Sequence, residues 1–245
     1  MEKLEFYEAF SEISMLNGLN KPTDKLSENF RLLAELLSAA NKIHNLTAIK
    51  EDEDVIVKHF VDSLLVSECI PEGAKLIDVG CGAGFPSLPL AIYRPDLSIL
   101  GVDSTSKKII YVNETQKTLG LTNLSATSAR AEDIAHKVEY REKFDVATAR
   151  AVASLPVLCE LCLPFVKVGG SFVAMKAQSA DEEIKLSRNA ILKCGGELVN
   201  VITKNLKHRR GGTEPETRNL IIIKKIKETP EIFPRLYSKI TKKPL

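Results

Sequence analysis

Residues 77–92 read IDVGCGAGFPSLPLAI, with three glycines in five positions between two apolar runs. A glycine turn at the end of a β-rich segment lets a ligand approach the backbone, because no Cβ stands in the way. The spacing then narrows the ligand. In the dinucleotide fingerprint G-x-G-x-x-G, the third glycine permits close helix–strand packing beside a pyrophosphate. With Gly80 and Gly82 as the first two, that third position is Phe85. Asp78 stands just before the turn, and a carboxylate there repels a diphosphate. A positively charged ligand suits the turn better.

S-adenosylmethionine is such a ligand, with a sulfonium, an ammonium and no phosphate. The pattern D-x-G-x-G-x-G closing a first strand is the one Rossmann-like methyltransferases carry. Asp78, Gly80, Gly82, Gly84 and Phe85 are therefore candidate donor-binding residues. Asp103 closes the second predicted strand. Its carboxylate either accepts the ribose hydroxyls or caps the helix that starts near Ser106. The fourth strand runs FDVATARAVASLPVL from residue 144 and lacks the polar-Pro-Pro-aromatic motif of many amine methylases. Arg150 stands in its place. An arginine only donates hydrogen bonds, so it fits a phosphate, a guanine edge, the methionine carboxylate or a structural ion pair. An acceptor with a ready lone pair, such as guanine N7, needs no general base, and no catalytic acid–base pair is evident.

Outward from the turn, the text divides. Before residue 71, apolar residues recur at helical spacing, as in Phe6, Phe10 and Ile13 and in Phe30, Leu33 and Leu37. From residue 75, strands near 75–80, 97–103, 124–128, 144–149, 170–176, 197–203 and 218–226 alternate with helices near 86–94, 106–119, 131–139, 154–167 and 180–194. Such alternation predicts an α/β fold: a Rossmann-like class I methyltransferase, seven-stranded and mostly parallel, with helices on both faces and an N-terminal helical extension. The last two strands have no helix between them, which suggests an antiparallel edge pair. Gly169-Gly170 and Gly195-Gly196 fall where helix C-caps are expected. The expected organisation is an N-terminal extension over 1–70, the methyltransferase domain over 71–227, and a basic, coreless tail over 228–245.

The 245 residues are 44% hydrophobic and 27% charged, an ordinary globular composition. No apolar run approaches the length of a membrane span, and the acidic first thirty residues do not resemble a signal peptide. A cytoplasmic protein, a monomer, with no membrane or metal partner, is the expectation. The cysteines, five in number, give no disulfide framework. Cys159 and Cys162 are expected on a buried helix rather than in a zinc or redox site. The net charge of +2 hides a basic end: residues 201–245 hold 12 Lys/Arg against 4 Asp/Glu, and the rest is acidic. That asymmetry points to a polyanionic partner.

Several segments together resemble one family. They are NLTAI at 45–49, KHFVDSL at 58–64, DVGCGAGFPSLPLAI at 78–92, VDSTSKK at 102–108, RAED at 130–133, TARAVASLPVL at 148–158, LCLPFVKVGG at 161–170 and AMKA at 174–177. The chain is similar to the glucose-inhibited division protein B family of small-subunit ribosomal RNA guanine-N7 methyltransferases. The resemblance implies S-adenosyl-L-methionine as cofactor, 16S rRNA or the small ribosomal subunit as partner, and one guanine N7 in the 530 loop as target. It also implies that Gly80, Phe85, Ala131, Glu132 and Arg150 contact the cofactor. Ser87 stands where many members have glycine, and the tail FPRLYSKITKKPL lacks the usual glycine-containing middle.

Candidate RNA-binding residues are His208, Arg209 and Arg210 before a diglycine, and Lys239, Lys242 and Lys243 in the tail. Lys176, at a strand end, is a candidate for positioning the substrate. His59, Asp62 and Ser63 share one helix face, which either borders the site or fastens the N-terminal helices to the sheet. Competing readings are a methylase of another RNA or a small molecule, a non-catalytic ribosome-assembly RNA-binding protein, and a dehydrogenase.

Overall fold

Strand β1 (Lys75–Val79) lies between β2 (Ser98–Asp103) and β4 (Phe144–Arg150), parallel to both. In this computed structural model, which describes residues 1–177, 180–209 and 216–245, the sheet order is β3-β2-β1-β4-β5-β7-β6. The remaining strands are β3 (Leu124–Ser128), β5 (Val166–Lys176), β6 (Gly196–Leu206) and β7 (Glu216–Lys225). β7 runs antiparallel between β5 and β6, so the expected edge pair is present. The strand order reverses between β1 and β4, and the crevice beyond their carboxyl ends is where such sheets bind ligands.

Period-two alternation sorts the side chains onto two faces. In β5, Val173 and Met175 enter one buried cluster, whereas Phe172 and Ala174 enter the other. The first face carries α1 (Lys3–Leu16), α2 (Asp24–His44), α5 (Ser87–Tyr93) and α6 (Ser106–Thr118). The second carries α7 (Ala131–Ile134), α8 (Leu155–Cys162), α9 (Ala180–Lys193) and α10 (Tyr237–Lys242). Cys159, Cys162 and Cys194 are buried free thiols in that second layer.

The N-terminal helices share the core of the sheet. The Thr23 hydroxyl accepts the Leu26 N–H and starts α2; Asn45, at φ 48, ends it. Phe30, Leu33 and Leu37 form its buried stripe. Aromatic rings then run inward at centroid spacings of 4.5 Å for Phe10–Phe30, 5.2 Å for Phe30–Phe60 and 6.4 Å for Phe60–Phe85. Phe60 lies in a π turn (Ile56–Val61) between α3 (Asp52–Val55) and α4 (Asp62–Leu64). Such turns recur at functional sites.

Two sequence expectations change. Gly169 and Gly170 lie inside β5 rather than at a helix end, and a Cβ on Gly170 would come within 2.5 Å of the Asp145 carbonyl oxygen. The helix expected over 131–139 is one turn long, Ala131–Ile134. Residues 228–245 have no core of their own but are fastened to the second face, with Phe233 and Ile240 buried. Arg235 donates to both oxygens of the fully buried Glu160 at 2.8 and 2.7 Å, and its own N–H adds a third bond. Arg141 donates to the carbonyls of Thr229 and Phe233 at 2.7 and 3.0 Å. The buried Lys225 ammonium joins Glu142 and Thr229 at 2.9 and 2.7 Å.

Removing one partner of a buried ion pair strands the other charge. Arg235→Ala should therefore cost about 3 kcal/mol of stability in denaturant unfolding. The double variant Arg235→Ala/Glu160→Leu should recover most of that loss, because no charge is then left without a partner.

Candidate active site

The glycine turn is held open from below. Gly80, Gly82 and Gly84 have φ of 76°, 55° and 87°, in the left-handed region. The Gly80 and Cys81 N–H groups donate to the Val102 carbonyl at 2.7 and 3.0 Å. Asp103 fixes the rest: one carboxylate oxygen accepts the Gly82 N–H at 3.0 Å and the other the Thr105 N–H at 2.8 Å. The glycines then differ in purpose. A Cβ on Gly80 would lie 2.5 Å from Val152 Cγ2, whereas one on Gly82 would meet nothing closer than 4.0 Å. A Cβ on Gly84 would strike Leu88 Cδ1 at 2.5 Å and crowd Val112 at 3.2 Å. Gly84 thus serves the packing of helices against the turn.

Two clefts flank this turn, and a third adjoins the second of them. The first, about 200 Å³, is lined by Gly80, Asp103, Ala131, Glu132, Val152 and Tyr237, among others. The second, about 320 Å³, shares Gly80, Asp103 and Val152 with it and adds Thr47, His59, Gly82, Phe85, Lys108 and Arg150. Together they offer the room a nucleoside-bearing ligand needs, and the open backbone at Gly82 is the cradle for its close approach. The third, about 530 Å³, contains Lys58, Asp62, Lys176, Glu183, Glu216 and Arg218. It meets the second at His59, Arg150 and Ala151.

The shared wall is tightly specified. The His59 ring stacks on Phe85 at 4.4 Å and 11°, and its Nε2 lies 2.8 Å from the Thr47 hydroxyl. Its Nδ1 is buried without a hydrogen-bond partner among the described residues. Burial, reinforced by the Arg150 charge, lowers the His59 pKa to about 4. The imidazole is therefore neutral at neutral pH. The Arg150 guanidinium sits 5.6 Å over the Phe85 ring and donates to the Lys58 carbonyl at 2.9 Å and to Asp62 at 3.1 Å. The other Asp62 oxygen accepts from Arg218 at 2.9 Å. Ala151 has φ 55°, an uncommon conformation for a residue with a Cβ, at the point where the clefts join. Lys176 donates to the Ala153 carbonyl and to Glu183, both at 2.9 Å.

Gly80, Gly82, Phe85, Asp103, Ala131, Glu132 and Arg150 line the first two clefts. Asp78 does not. It is fully buried, and its carboxylate accepts the Ser87 N–H at 3.2 Å and the Ser87 hydroxyl, which ties the end of β1 to the start of α5. Burial raises its pKa to about 6. Gly84 is likewise behind the wall. Asp103 lines both clefts and anchors the turn, while helix α6 starts after Thr105 without a side-chain cap. Thr47 and Lys108 were legible only as members of the NLTAI and VDSTSKK segments. Val152 was legible in the same way, within TARAVASLPVL, whereas Arg218 had no local signal and is brought here by topology alone.

His59 borders the site, and Asp62 on the same helix both borders it and fastens helix to sheet. Arg209 lies 3.8 Å from Glu12 and 4.0 Å from Glu53, and His208 lies 3.8 Å from Asp54 and 3.9 Å from Glu216. Asn17 also exchanges two backbone bonds with Lys207. This loop is packed onto acidic N-terminal residues. Arg210 lies outside the described residues. Lys239, Lys242 and Lys243 are exposed on and just after α10. No cluster of three His, Cys, Asp or Glu residues suited to a metal occurs among the described residues, and no described helix is long and apolar enough to cross a membrane.

A His59 pKa below that of the unfolded chain means the unfolded state binds the extra proton between pH 6.5 and about 4. Stability from the neutral imidazole is thus complete above pH 6.5 and is lost as the pH falls through that window. His59→Phe cannot take up the proton. Its unfolding free energy relative to the unsubstituted chain should rise by up to about 3 kcal/mol between pH 6.5 and 4, measured by denaturant titration at each pH.

The sequence model of the GidB family, described as rRNA small subunit methyltransferase G, matches residues 26–211. Ribosomal RNA small subunit methyltransferase G of Clostridium botulinum (strain Alaska E43 / Type E3) is 41% identical over 244 residues, 99% of this chain and 100% of that one. The protein of the same name from Desulforamulus reducens is 44% identical, over 90% of this chain and 92% of its own. Among solved structures, that of M. jannaschii TYW2 in complex with AdoMet superposes with a TM-score of 0.53 at 17% identity, covering 67% of this chain and 77% of that one, a likeness of fold. With the sheet order, the glycine turn and these relatives in agreement, the chain belongs to the rRNA small subunit methyltransferase G family.

Proposed function

We propose that this chain transfers a methyl group from S-adenosylmethionine to N7 of a guanine in the 530 loop of 16S ribosomal RNA. The observation that carries the reading is the common wall of His59, Arg150 and Ala151, where the clefts around the glycine turn open into the third. The residues fit the donor. Asp103 would accept the ribose hydroxyls, Glu132 and the Ala131 amide would meet the adenine, and Arg150 or Lys108 would receive the methionine carboxylate. When bound, the donor supplies an electrophilic methyl group.

The chain's own residues then have to orient and insulate. The neutral His59 keeps a further positive charge away from the sulfonium side of the pocket, which Asp103 leaves negative. In the third cleft, Glu183 or Glu216 can accept from the N1–H and N2–H of a guanine, and Lys176 or Arg218 can donate to its O6. N7 already carries a lone pair, so no group must remove a proton, and alignment accounts for the catalysis. Lys239, Lys242 and Lys243 would meet RNA phosphates. His208 and Arg209, engaged with Glu12, Glu53, Asp54 and Glu216, would do so only by exchanging those partners.

Small subunits from a strain lacking this gene should accept radiolabel from the donor. Borohydride reduction and aniline cleavage should then map a single N7-methylguanine to the 530 loop. Label at another base, or on an exocyclic nitrogen, would overturn the assignment. Replacing Lys239, Lys242 and Lys243 by glutamate should weaken rRNA binding and flatten the plot of log affinity against log salt by about 0.7 for each phosphate no longer neutralised.

A further inference from the structure

We propose that Tyr237, in the C-terminal segment, forms the wall against which the donor's adenine rests, so that the segment is part of the donor site. Apart from Tyr237, the first cleft is lined by the charged Asp103, Arg130 and Glu132 and by small or aliphatic side chains such as Val79, Val152 and Leu161. Tyr237 is the one aromatic ring among its described lining residues. A flat heteroaromatic base gains most from a flat apolar neighbour, and every base has a π-face to offer.

The ring is held in place before any ligand arrives. Tyr237 is half-buried and packs against the same apolar layer as Ala131 and Val152. Phe233 precedes it and Ile240 follows it, both buried in that layer. Arg235, two residues before it, grips Glu160 of α8, and the neighbouring Leu161 lines the same cleft. A wall fixed in this way loses little conformational freedom on binding. The assignment rests on the adenosine lying in the first cleft.

The chain contains no tryptophan, so Tyr237→Trp places a sole indole at this position. Its fluorescence should change saturably when S-adenosylhomocysteine is titrated into the full-length protein. In calorimetry, Tyr237→Ala should weaken S-adenosylhomocysteine by roughly tenfold and 5′-methylthioadenosine by the same factor, because the two share the adenosine. Tyr237→Phe should stay within about twofold, because the ring supplies the contact rather than the hydroxyl. A silent indole while calorimetry registers binding, or unchanged affinities in the alanine variant, would overturn the proposal and leave the donor reading intact. If the unsubstituted chain bound neither ligand, both would fall. Should Tyr237→Ala melt early, the tryptophan and phenylalanine variants decide the matter alone.

Discussion

One carboxylate, that of Asp62, joins the parts of this molecule that must stay in register. It is buried and lies between two guanidinium groups, Arg150 at the end of β4 and Arg218 in β7. A lone carboxylate in that position would be costly, and two unpaired arginines costlier still. The three therefore fix one another, and with them the N-terminal helix to the strands it covers. Arg150 in turn lies over Phe85, and Phe85 lies against His59. The shape of the wall between the clefts follows from that chain of contacts.

The glycine turn supplies the other half of the arrangement, and its parts divide the work. Gly80 admits Val152, Gly82 leaves open space, and Gly84 admits Leu88. Asp103 holds the turn by the Gly82 N–H, so the carboxylate on the wall is also the one that keeps the loop in its left-handed conformation. Asp78 stabilises the same region from within the core through Ser87. Ser87 thus gives a buried acid a hydroxyl partner.

Much of this was legible in the sequence, and the reasons are local. The alternation of strands and helices, the glycine spacing and the terminal Asp103 are features of neighbouring residues, and periodicity reports them directly. What escaped was set at long range. Asp78 was expected on the pocket wall because of its position before the turn, yet its side chain is fully buried, bonded to Ser87 at the start of α5. The tail was expected to lack a core because its own residues cannot build one. Its anchors, Glu160, Arg141 and the layer around α8, lie 75 or more residues away for Glu160 and Arg141. No window of sequence contains such a pair, so only the folded topology reveals it.

The thiols in the second layer have a consequence of their own. Burial holds Cys159 and Cys162 well above the ordinary thiol pKa and raises Cys194 to about 12. Sulfur reacts with alkylating agents and peroxides as the thiolate, so these three are chemically silent while the layer is closed. They become reactive when helix and sheet part, and their modification rate is then a clock for that event. The native protein thus carries a built-in chemical record of how often its interior is exposed.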